Sequence, residues 1–340
     1  MKYLRRFAGR AAMFVPFTRY RYVGEPACCN LCGSTLRSEV SRYDRRLKRL
    51  TTVVCSDCGL LRTDPMPTRE ELATYYRTEY RLDYQLAAGR PPRDHVCKSS
   101  AAAQARADLL SERLVPGARV LDFGAGSGEF LAVAAGRGCK VMGIEPGYDY
   151  AAHARVTTGV QVLSQEWEDA VLPDGGFDVI TCHHVVEHLR DPLGAIQRMA
   201  RWLSDNGVVY ISVPDMRADG RPAFQRLHFA HVHGFVPTTL TQIAMAAGLE
   251  PDARFPQRRT TMVFRKRALG PATSVQDVTR ARTVARQFHD MSLHRYFLGG
   301  TWVAQVVRQV LRSCGVRPPA RRSAGSADRA SSGVEILPGE

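Results

Sequence analysis

Two pairs of cysteines have the spacing of metal ligands. The sequence reads "CNLCGS" from Cys29 and "CSDCGL" from Cys55, so Cys29, Cys32, Cys55 and Cys58 form a C-x2-C-x22-C-x2-C pattern. This spacing suits a tetrahedral zinc ion bound by four thiolates, and such a site has no open position for catalysis. The N-terminal stretch does not resemble an export signal, so the thiols are expected to stay reduced, which favours metal over disulfides. We therefore expect a structural Zn2+ site.

A glycine-rich segment, "VLDFGAGSGEF" at 120–130, lies at the first expected turn from a strand to a helix. Gly124, Gly126 and Gly128 let the backbone turn tightly and approach a ligand closely. The dinucleotide pattern G-x-G-x-x-G fails because the third residue after Gly126 is Glu129, and no Gly-Lys-Ser/Thr follows for a phosphate loop. The segment therefore predicts a ligand site of another kind.

Two acidic residues accompany this loop. Asp122 lies two residues before the first glycine, and Glu145 ends the next apolar segment. A carboxylate beside the loop repels a pyrophosphate but suits a ligand that carries an ammonium and a sulfonium, while Glu145 is placed to accept both hydroxyls of a ribose. The pattern predicts S-adenosyl-L-methionine as the ligand. The alternative is a structural turn in another kind of α/β protein.

Six of the ten histidines fall between positions 183 and 233. His183 and His184 end one predicted strand, and His228, His231 and His233 follow the next, so both groups are expected at the carboxyl edge of a sheet, where ligands bind. An imidazole can take up a proton near neutral pH. We therefore take His231, His233 and His184 as candidate catalytic bases, with capping or core roles as the alternative.

The segment "HVVEH" at 184–188 allows three interpretations. It matches the H-x-x-E-H pattern of a metalloprotease helix. It also offers His184, Glu187 and His188 as ligands of a divalent ion. The third interpretation is that Glu187 and His188 brace the loop beside the ligand.

Segments typical of strands alternate with helical segments from residue 119 onward, which predicts an α/β fold with a mostly parallel sheet and helices on both faces. The expected strands are 119–125, 140–146, 160–164, 177–184, 207–215 and 260–267. The clearest expected helices are 101–115, 191–204 and 236–249. Thr68 and Glu71 have the spacing of a capping box, which predicts that a helix begins there.

With these elements, the chain resembles the class I S-adenosylmethionine-dependent methyltransferases over about residues 116–268. The resemblance rests on "VLDFGAGSG", "GIEP", "FDVITCHHVVEHLRDP", "LSDNGVVYISVPD" and "HVHGFVPTTLTQIAMAAGLEP", in that order. The chain is most similar to the branch with an N-terminal pair of zinc knuckles, whose members often act on sugars or other small metabolites. It also shares the stretch "CGLLRTDPMPTREELATYYRTEY" with that branch. The resemblance implies a Rossmann-like sheet of seven strands.

The resemblance also implies a set of cofactor contacts. Near the methionine part and the ribose these are Asp122, Gly124, Gly126, Gly128, Glu145 and His183. Adenine is held just after the third strand in such proteins, where the candidates are Gln165, Glu166 and Trp167. Tyrosines on the linker can close over the cofactor in relatives, and the corresponding residues here are Tyr75, Tyr76 and Tyr80, for which a core role is equally open.

The expected organisation has six parts. They are a basic N-terminal segment (1–25), a zinc-binding ribbon (26–66), a helical linker (67–115), the S-adenosylmethionine-binding domain (116–268), a basic helical extension (269–316) and a disordered tail (317–340).

Composition limits the classes of partner. The chain of 340 residues is 44% hydrophobic, enough for an ordinary core, and contains no apolar run long enough to span a bilayer. With no export signal, we expect a cytoplasmic protein. The net charge is +14, but it is concentrated on the flanks while 61–252 is mildly acidic, so nucleic acid is disfavoured as a partner. The basic N-terminus and 294–317 suit a peripheral contact with an anionic membrane.

The function that we expect is methyl transfer to a small-molecule acceptor, such as a sugar, a sugar nucleotide or a secondary metabolite, with a histidine assisting deprotonation. One alternative is an RNA base methyltransferase, since some of those also carry a zinc module. The other is a non-catalytic protein whose zinc ribbon binds a partner. The sequence does not distinguish oxygen, nitrogen and carbon acceptors, and it leaves the oligomeric state open.

Overall fold

The computed structural model describes residues 16–80, 93–217, 223–268, 276–289 and 298. The first 15 residues, most of the expected basic extension and the whole expected tail lie outside these ranges. Of the two segments expected at a membrane surface, 1–15 of the N-terminal one and all of 294–317 except residue 298 therefore fall on residues that are not described. Among the helices that are described, none is both long enough and apolar enough to cross a bilayer.

Eleven strands and seven α-helices are named here for the described residues. The strands are β1 (Arg37–Tyr43), β2 (Arg49–Cys55), β3 (Leu61–Thr63), β4 (Arg119–Phe123), β5 (Lys140–Ile144), β6 (Gln161–Leu163), β7 (Phe177–His183), β8 (Leu203–Ser212), β9 (His233–Gly234), β10 (Leu249–Pro251) and β11 (Thr261–Lys266). The helices are α1 (Arg69–Thr78), α2 (Arg93–Leu109), α3 (Glu129–Gly136), α4 (Tyr148–Thr158), α5 (Pro192–Trp202), α6 (Pro237–Ala246) and α7 (Val278–His289).

The larger sheet has seven strands in the order β10-β11-β8-β7-β4-β5-β6. Strands β4 to β8 run parallel to one another, whereas β11 runs antiparallel to both β8 and β10. The expected Rossmann-like, mostly parallel sheet of seven strands is confirmed. The central strands β4 and β7 are almost wholly buried because helices cover both faces of the sheet, which explains their nearly continuous apolar sequences.

Every strand expected from the sequence is present, within a few residues of its expected ends. The short edge strand β10 was not expected. Helix α1 begins at the predicted capping box, in which the Glu71 amide donates to Thr68 Oγ1 at 3.2 Å and the Thr68 amide donates to Glu71 Oε2 at 2.9 Å. This prediction is confirmed.

The smaller sheet belongs to the cysteine-containing ribbon, and its strand order is β1-β2-β3-β9. Its fourth strand comes from far along the chain: His233 and Gly234 pair with Arg62 and Leu61 of β3 in antiparallel register. The expected ribbon of residues 26–66 therefore supplies only three of the four strands, and the segment after β8 completes the sheet.

Candidate active site

The glycine loop lies between β4 and α3, at the carboxyl edge of the large sheet. Gly124, Gly126 and Gly128 all have positive φ, at 81°, 56° and 89°, which a side chain would make costly. A Cβ at Gly124 would lie 2.3 Å from Cγ2 of Val185, whereas a Cβ at Gly126 would meet nothing within 4 Å. The loop is thus packed tightly at Gly124 and faces open space at Gly126, as a cradle for a ligand requires.

Glu145 follows β5 and closes this loop. One carboxylate oxygen accepts from the Gly126 amide at 3.0 Å, and the other accepts from the Gly147 amide at 2.8 Å. The half-buried carboxylate therefore lies where the cradle opens, beside the start of α4. This position is consistent with the expected contact to the ribose hydroxyls, which stays a prediction.

Asp122 lies deeper than the sequence suggested. It is 2% exposed, accepts from Thr181 Oγ1 at 2.5 Å and forms an ion pair with Arg106 of α2 at 3.2 Å. Burial raises the pKa of Asp122, while Arg106 and Thr181 act in the opposite direction. The charge of Asp122 is thus already balanced inside the protein, which weakens the argument that it binds the cofactor ammonium directly.

The segment expected to hold adenine follows β6. Glu166 precedes a short 3-10 helix, Trp167–Asp169, and its side chain is exposed. Desolvation, together with the neighbouring Glu168, raises the pKa of Glu166. The Trp167 ring is half-buried, with its centroid 6.4 Å from that of Phe123 at the end of β4. Trp167 therefore lies against the strand that leads into the glycine loop.

His184 and Glu187 form a hydrogen-bonded pair directly beside the glycine loop. His184 Nδ1 donates to Glu187 Oε1 at 3.1 Å; the imidazole is 49% exposed and the carboxylate only 2%. His184 has a φ of 56°, a conformation that is costly outside glycine and is often found at functional sites. Val185, the next residue, is the one that packs on Gly124. The His184–Glu187 pair therefore lies directly against the glycine loop, with Val185 as the point of contact.

Two further histidines surround Glu187. The ligand atoms of Glu187, His188 and His231 all lie within 4.8 Å of one another. His188 Nδ1 donates to the Ala230 carbonyl at 2.9 Å, and its ring meets that of His231 edge to face at 4.9 Å. Burial lowers the pKa of both imidazoles, so both are neutral at physiological pH.

Glu187 stays charged in this surrounding. Burial opposes its ionisation, but the hydrogen bond from His184 and the nearby His188 and His231 outweigh burial and lower the pKa of Glu187. Its Oε2 atom has no hydrogen-bond partner among the described residues. A buried carboxylate oxygen without a partner is costly and marks a place where a ligand group or a cation would be stabilised.

The segment around Glu187 is a 3-10 turn, Val186–His188, rather than an α-helix. The metalloprotease interpretation of "HVVEH" requires both histidines on one helical face, and the structure contradicts this. The donor set suggested for a divalent ion also changes, because His231 joins Glu187 and His188, while His184 holds Glu187 from the more exposed side.

His183 and His233 are less suited to proton transfer. Burial, with His184 and Arg106 nearby, lowers the pKa of His183 to about 3, and its Nδ1 lies 3.3 Å from the Tyr210 hydroxyl. His233 is 1% exposed, and both ring nitrogens have partners, the Leu189 carbonyl at 3.0 Å and the Asn30 side-chain amide at 2.9 Å. The geometry thus argues against His233 as a base and favours a structural role.

The three linker tyrosines lie next to these histidines. Tyr76 and Tyr80 meet the His188 ring edge to face, at centroid distances of 6.1 and 6.0 Å. Tyr75 is buried against Phe229 at 4.8 Å. Tyr75 therefore serves the core, while the half-buried Tyr76 and Tyr80 form an aromatic wall on the histidine side.

The four cysteines of the ribbon converge. The Sγ atoms of Cys29 and Cys58 are 3.5 Å apart, as are those of Cys32 and Cys55, and all four lie within 4.8 Å of one another. Zn–S bonds of ~2.3 Å in a tetrahedron give S–S distances of roughly 3.8 Å. Burial, with Cys29 and Cys55 close by, raises the pKa of Cys32 to about 12. A cation is needed to ionise thiols held this closely, and the donor set fits zinc.

The backbone explains why the cysteines converge. In each knuckle the first cysteine's carbonyl accepts from the amide of the glycine four residues later, Gly33 at 2.8 Å and Gly59 at 3.0 Å. Both glycines have positive φ, at 73° and 82°. The repeated C-x-x-C-G sequence thus folds twice into the same tight turn.

Sequence analysis missed two residues of this region. Arg106 is 8% exposed and its guanidinium lies 4.1 Å from the Phe130 ring centroid; an arginine in an Ala-rich helical stretch was the only available signal. Asn30 lies between two cysteines, where its side chain has no local pattern to mark it.

Comparison with known proteins agrees with this geometry. Residues 98–253 match a family model described as a methyltransferase domain. The chain is 36% identical over 114 residues to a ubiquinone biosynthesis O-methyltransferase of Xanthomonas campestris, a match that covers 32% of this chain and 48% of that protein. The corresponding protein of Sodalis glossinidius is 33% identical over 115 residues, covering 32% and 46%. The chain thus spans about half the length of the curated relatives it matches.

Among solved structures, the chain is similar to the [4+2]-cyclase SpnF, with 25% identity and a TM-score of 0.39 over 45% of this chain and 59% of that one. It is also similar to a Burkholderia thailandensis 1,6-didemethyltoxoflavin-N1-methyltransferase, solved with S-adenosylhomocysteine. That match has 18% identity and a TM-score of 0.46 over 62% and 96% of the two chains. The family match thus indicates that residues 98–253 form a methyltransferase domain.

Proposed function

We propose that this protein transfers a methyl group from S-adenosylmethionine to a small-molecule acceptor, with His184 as the base that removes the acceptor's proton. The observation that carries the proposal is the packing of Val185 on Gly124. It sets the His184–Glu187 pair against the glycine loop, so that a donor in the cradle and an acceptor at the pair would be neighbours.

The cradle residues would hold the donor. Gly126 leaves the space, Glu145 offers a carboxylate for the ribose hydroxyls, and Trp167 is placed for the adenine side. When bound, S-adenosylmethionine supplies a methyl group on an activated sulfonium, so the chain's own contribution is mainly positioning and proton removal.

His184 is the best placed of the three candidate bases. Its Nδ1–H donates to Glu187, which leaves the Nε2 lone pair on a half-exposed ring to take a proton. The buried Glu187 carboxylate fixes the tautomer and stabilises the imidazolium that forms, as the acid does in a His–acid pair. His231 is more deeply buried, and burial lowers its pKa well below the ordinary value, so it is the second choice.

A small, flat or ring-shaped acceptor fits the surroundings. Tyr76 and Tyr80 provide an aromatic wall next to His188, and the resemblance to the zinc-containing branch favours a sugar, sugar nucleotide or secondary metabolite. The matched relatives are named O-methyltransferases, and a hydroxyl acceptor is one that needs a base.

A divalent ion on Glu187, His188 and His231 is a second candidate for part of this chemistry. It is favoured by the convergence of three ligand atoms and by Glu187 Oε2, which has no hydrogen-bond partner in the part of the chain that the structure describes. Activity that depends on added Mg2+ or Mn2+, with zinc content constant, would support it over a metal-free His184–Glu187 pair.

We also propose that Cys29, Cys32, Cys55 and Cys58 bind one structural Zn2+. Four thiolates saturate a tetrahedral ion, so this metal would support the ribbon rather than act on the substrate. One zinc per chain by elemental analysis is the expected result.

The first test is calorimetric titration of the zinc-loaded protein with S-adenosylmethionine and S-adenosylhomocysteine. We expect micromolar binding that Glu145→Ala weakens by at least about tenfold, because the ribose contacts are lost. The control is Glu168→Ala, an exposed acid two residues beyond Glu166. Absence of binding in the folded wild type would contradict the proposal and favour a non-catalytic, partner-binding protein.

The second test screens acceptors with labelled donor. Sugars, sugar nucleotides and phenols are compared with total RNA, and His184→Gln is the variant. We expect a small molecule to be labelled and His184→Gln to lower kcat by about 10²–10⁴-fold without weakening donor binding. Labelling of RNA alone would support the RNA methyltransferase alternative.

A further inference from the structure

The zinc-binding ribbon and the Glu187 turn are joined by one buried histidine. Asn30 lies between Cys29 and Cys32, and its side-chain Oδ1 is 2.9 Å from Nε2 of His233, 203 residues later in the chain. The other ring nitrogen of His233 is 3.0 Å from the carbonyl oxygen of Leu189. Leu189 directly follows the turn that carries Glu187.

The two contacts hold the His233 ring between two acceptors. Nδ1 faces the Leu189 carbonyl oxygen and Nε2 faces Asn30 Oδ1. A ring nitrogen that carries a proton donates it to the oxygen that it faces. Neither partner can be replaced by water without opening the structure, because His233 is 1% exposed.

The same histidine belongs to β9, so the backbone strengthens the connection. His233 pairs with Arg62 of β3, and the Thr63 amide donates to the Val232 carbonyl at 2.8 Å. His231 lies two residues earlier on this segment. The ribbon thus reaches the histidine cluster from two directions, through the Leu189 carbonyl and through β9.

We propose that Asn30 and His233 are positioning residues through which the metal-filled knuckle sets the geometry of the Glu187 turn and of His231. The zinc-binding ribbon would then be part of the acceptor side of the active site, not a separate appendage. This inference rests on the proposed function, because it gives that geometry a catalytic purpose. The contacts that carry it are nevertheless present in the free protein.

The test compares Asn30→Ala with Ser34→Ala in the full-length, zinc-loaded protein. Ser34 belongs to the same knuckle, but its hydroxyl accepts only an exposed amide, that of Leu36, which makes it a matched control. Hydrogen exchange is measured by mass spectrometry on peptides covering 185–190 and 230–234, with 148–158 as the internal reference. Zinc content and S-adenosylhomocysteine affinity are measured in parallel.

We expect Asn30→Ala to keep its zinc and its cofactor affinity but to exchange about tenfold faster in both test peptides, because a buried imidazole nitrogen loses its partner. The ring 15N resonances of His184 should shift in this variant, since Glu187 orients that imidazole. Ser34→Ala should match the wild type in every measurement.

The outcome that overturns the proposal is a zinc-loaded Asn30→Ala with wild-type exchange in both peptides and unchanged His184 resonances. If Asn30→Ala loses zinc, Asn30→Leu replaces it, because leucine keeps a similar shape but has no oxygen to accept from the ring. Wild-type exchange in that variant would be equally decisive. None of these readouts needs an acceptor, and cofactor binding by the wild type tests the proposed function separately.

Discussion

The proposed cofactor side and the proposed acceptor side of this sheet edge are built in different ways. The cofactor side consists of backbone: left-handed glycines between β4 and α3, closed by Glu145 about twenty residues later. The acceptor side consists of side chains from distant segments, the turn at 184–188, the loop at 228–231 and the tyrosines of α1. The first depends on local conformation and the second on long-range packing.

The two sides also treat buried charge differently. Asp122, beneath the cofactor loop, is paired with Arg106 and receives a hydrogen bond from Thr181. Glu187, on the acceptor side, keeps one oxygen without a partner among the described residues. A buried carboxylate with a full set of partners stabilises the fold, whereas one with a free oxygen can still form a favourable contact with a ligand. The difference assigns structure to one side and chemistry to the other.

The largest expected effect comes from removing a zinc ligand. Cys58→Ser should abolish zinc binding and unfold the ribbon, because structural zinc sites contribute ~10–16 kcal/mol to folding in small modules. Since the ribbon contacts the acceptor side, S-adenosylhomocysteine affinity should stay within about threefold of the wild type. Limited proteolysis of the ribbon and calorimetry measure the two effects. Cys28→Ser, which changes an exposed neighbouring thiol, is the control. If Cys58→Ser unfolded the ribbon and abolished S-adenosylhomocysteine binding together, the ribbon and the cofactor side would not be structurally independent.

A second prediction concerns the glycine loop on the cofactor side. In Gly124→Ala the new Cβ would lie 2.3 Å from Val185, in addition to the cost of a positive φ. Overpacking typically costs ~1–3 kcal/mol, so cofactor affinity should fall by about ten- to a hundredfold as the loop shifts. Gly159→Ala is the matched control, with φ at 69° but open space around the Cβ. Calorimetry showing equal affinity for both variants would contradict the tight packing at Gly124.

The contrast between local conformation on one side and long-range packing on the other explains what the sequence could and could not predict. The glycine loop, the capping box at Thr68 and the paired cysteines are local patterns, so their positions follow from neighbouring residues. The pairing of β9 with β3 and the contact between Asn30 and His233 join segments about 200 residues apart, for which a single sequence has no marker. His233 shows the result: it was expected as a base from its position, and its partners instead make it structural.

A third prediction tests the satisfied charge on the cofactor side. Arg106→Met should destabilise the protein by about 3–5 kcal/mol at neutral pH, because Asp122 would be left buried and unpaired. The folded-state pKa of Asp122 is already raised and would rise further, so the folded state binds more protons and the deficit should grow as pH increases. Urea unfolding of the wild type and of Arg106→Met at pH 5.5 and 8 measures this difference in the free energy of unfolding.

The control for that prediction is an exposed pair that joins β4, the strand of Asp122, to β7. Arg119 and Asp178 are joined at 2.8 Å but are 45% and 37% exposed. Arg119→Met should therefore change the free energy of unfolding very little. A loss in Arg106→Met as small as this, or one that is independent of pH, would show that Asp122 is not held as a buried charge.

The smallest effect concerns the unsatisfied charge on the acceptor side. Glu187→Gln keeps the shape of the side chain but removes the charge that attracts His184. The pKa of Glu187 is lowered in the folded state, so its ionised form contributes stability above the unfolded value of about 4.3, and this contribution is lost as pH falls through the lowered pKa. We expect the free energy of unfolding of the wild type to exceed that of the variant by about 1 kcal/mol at pH 7, and by progressively less as the pH falls below about 4.3. Glu39→Gln, at an exposed position, should show no such trend in urea unfolding. A difference that does not change with pH would mean that the Glu187 carboxylate is not held in its charged form by the histidines, and the His184–Glu187 pair would lose its electrostatic basis.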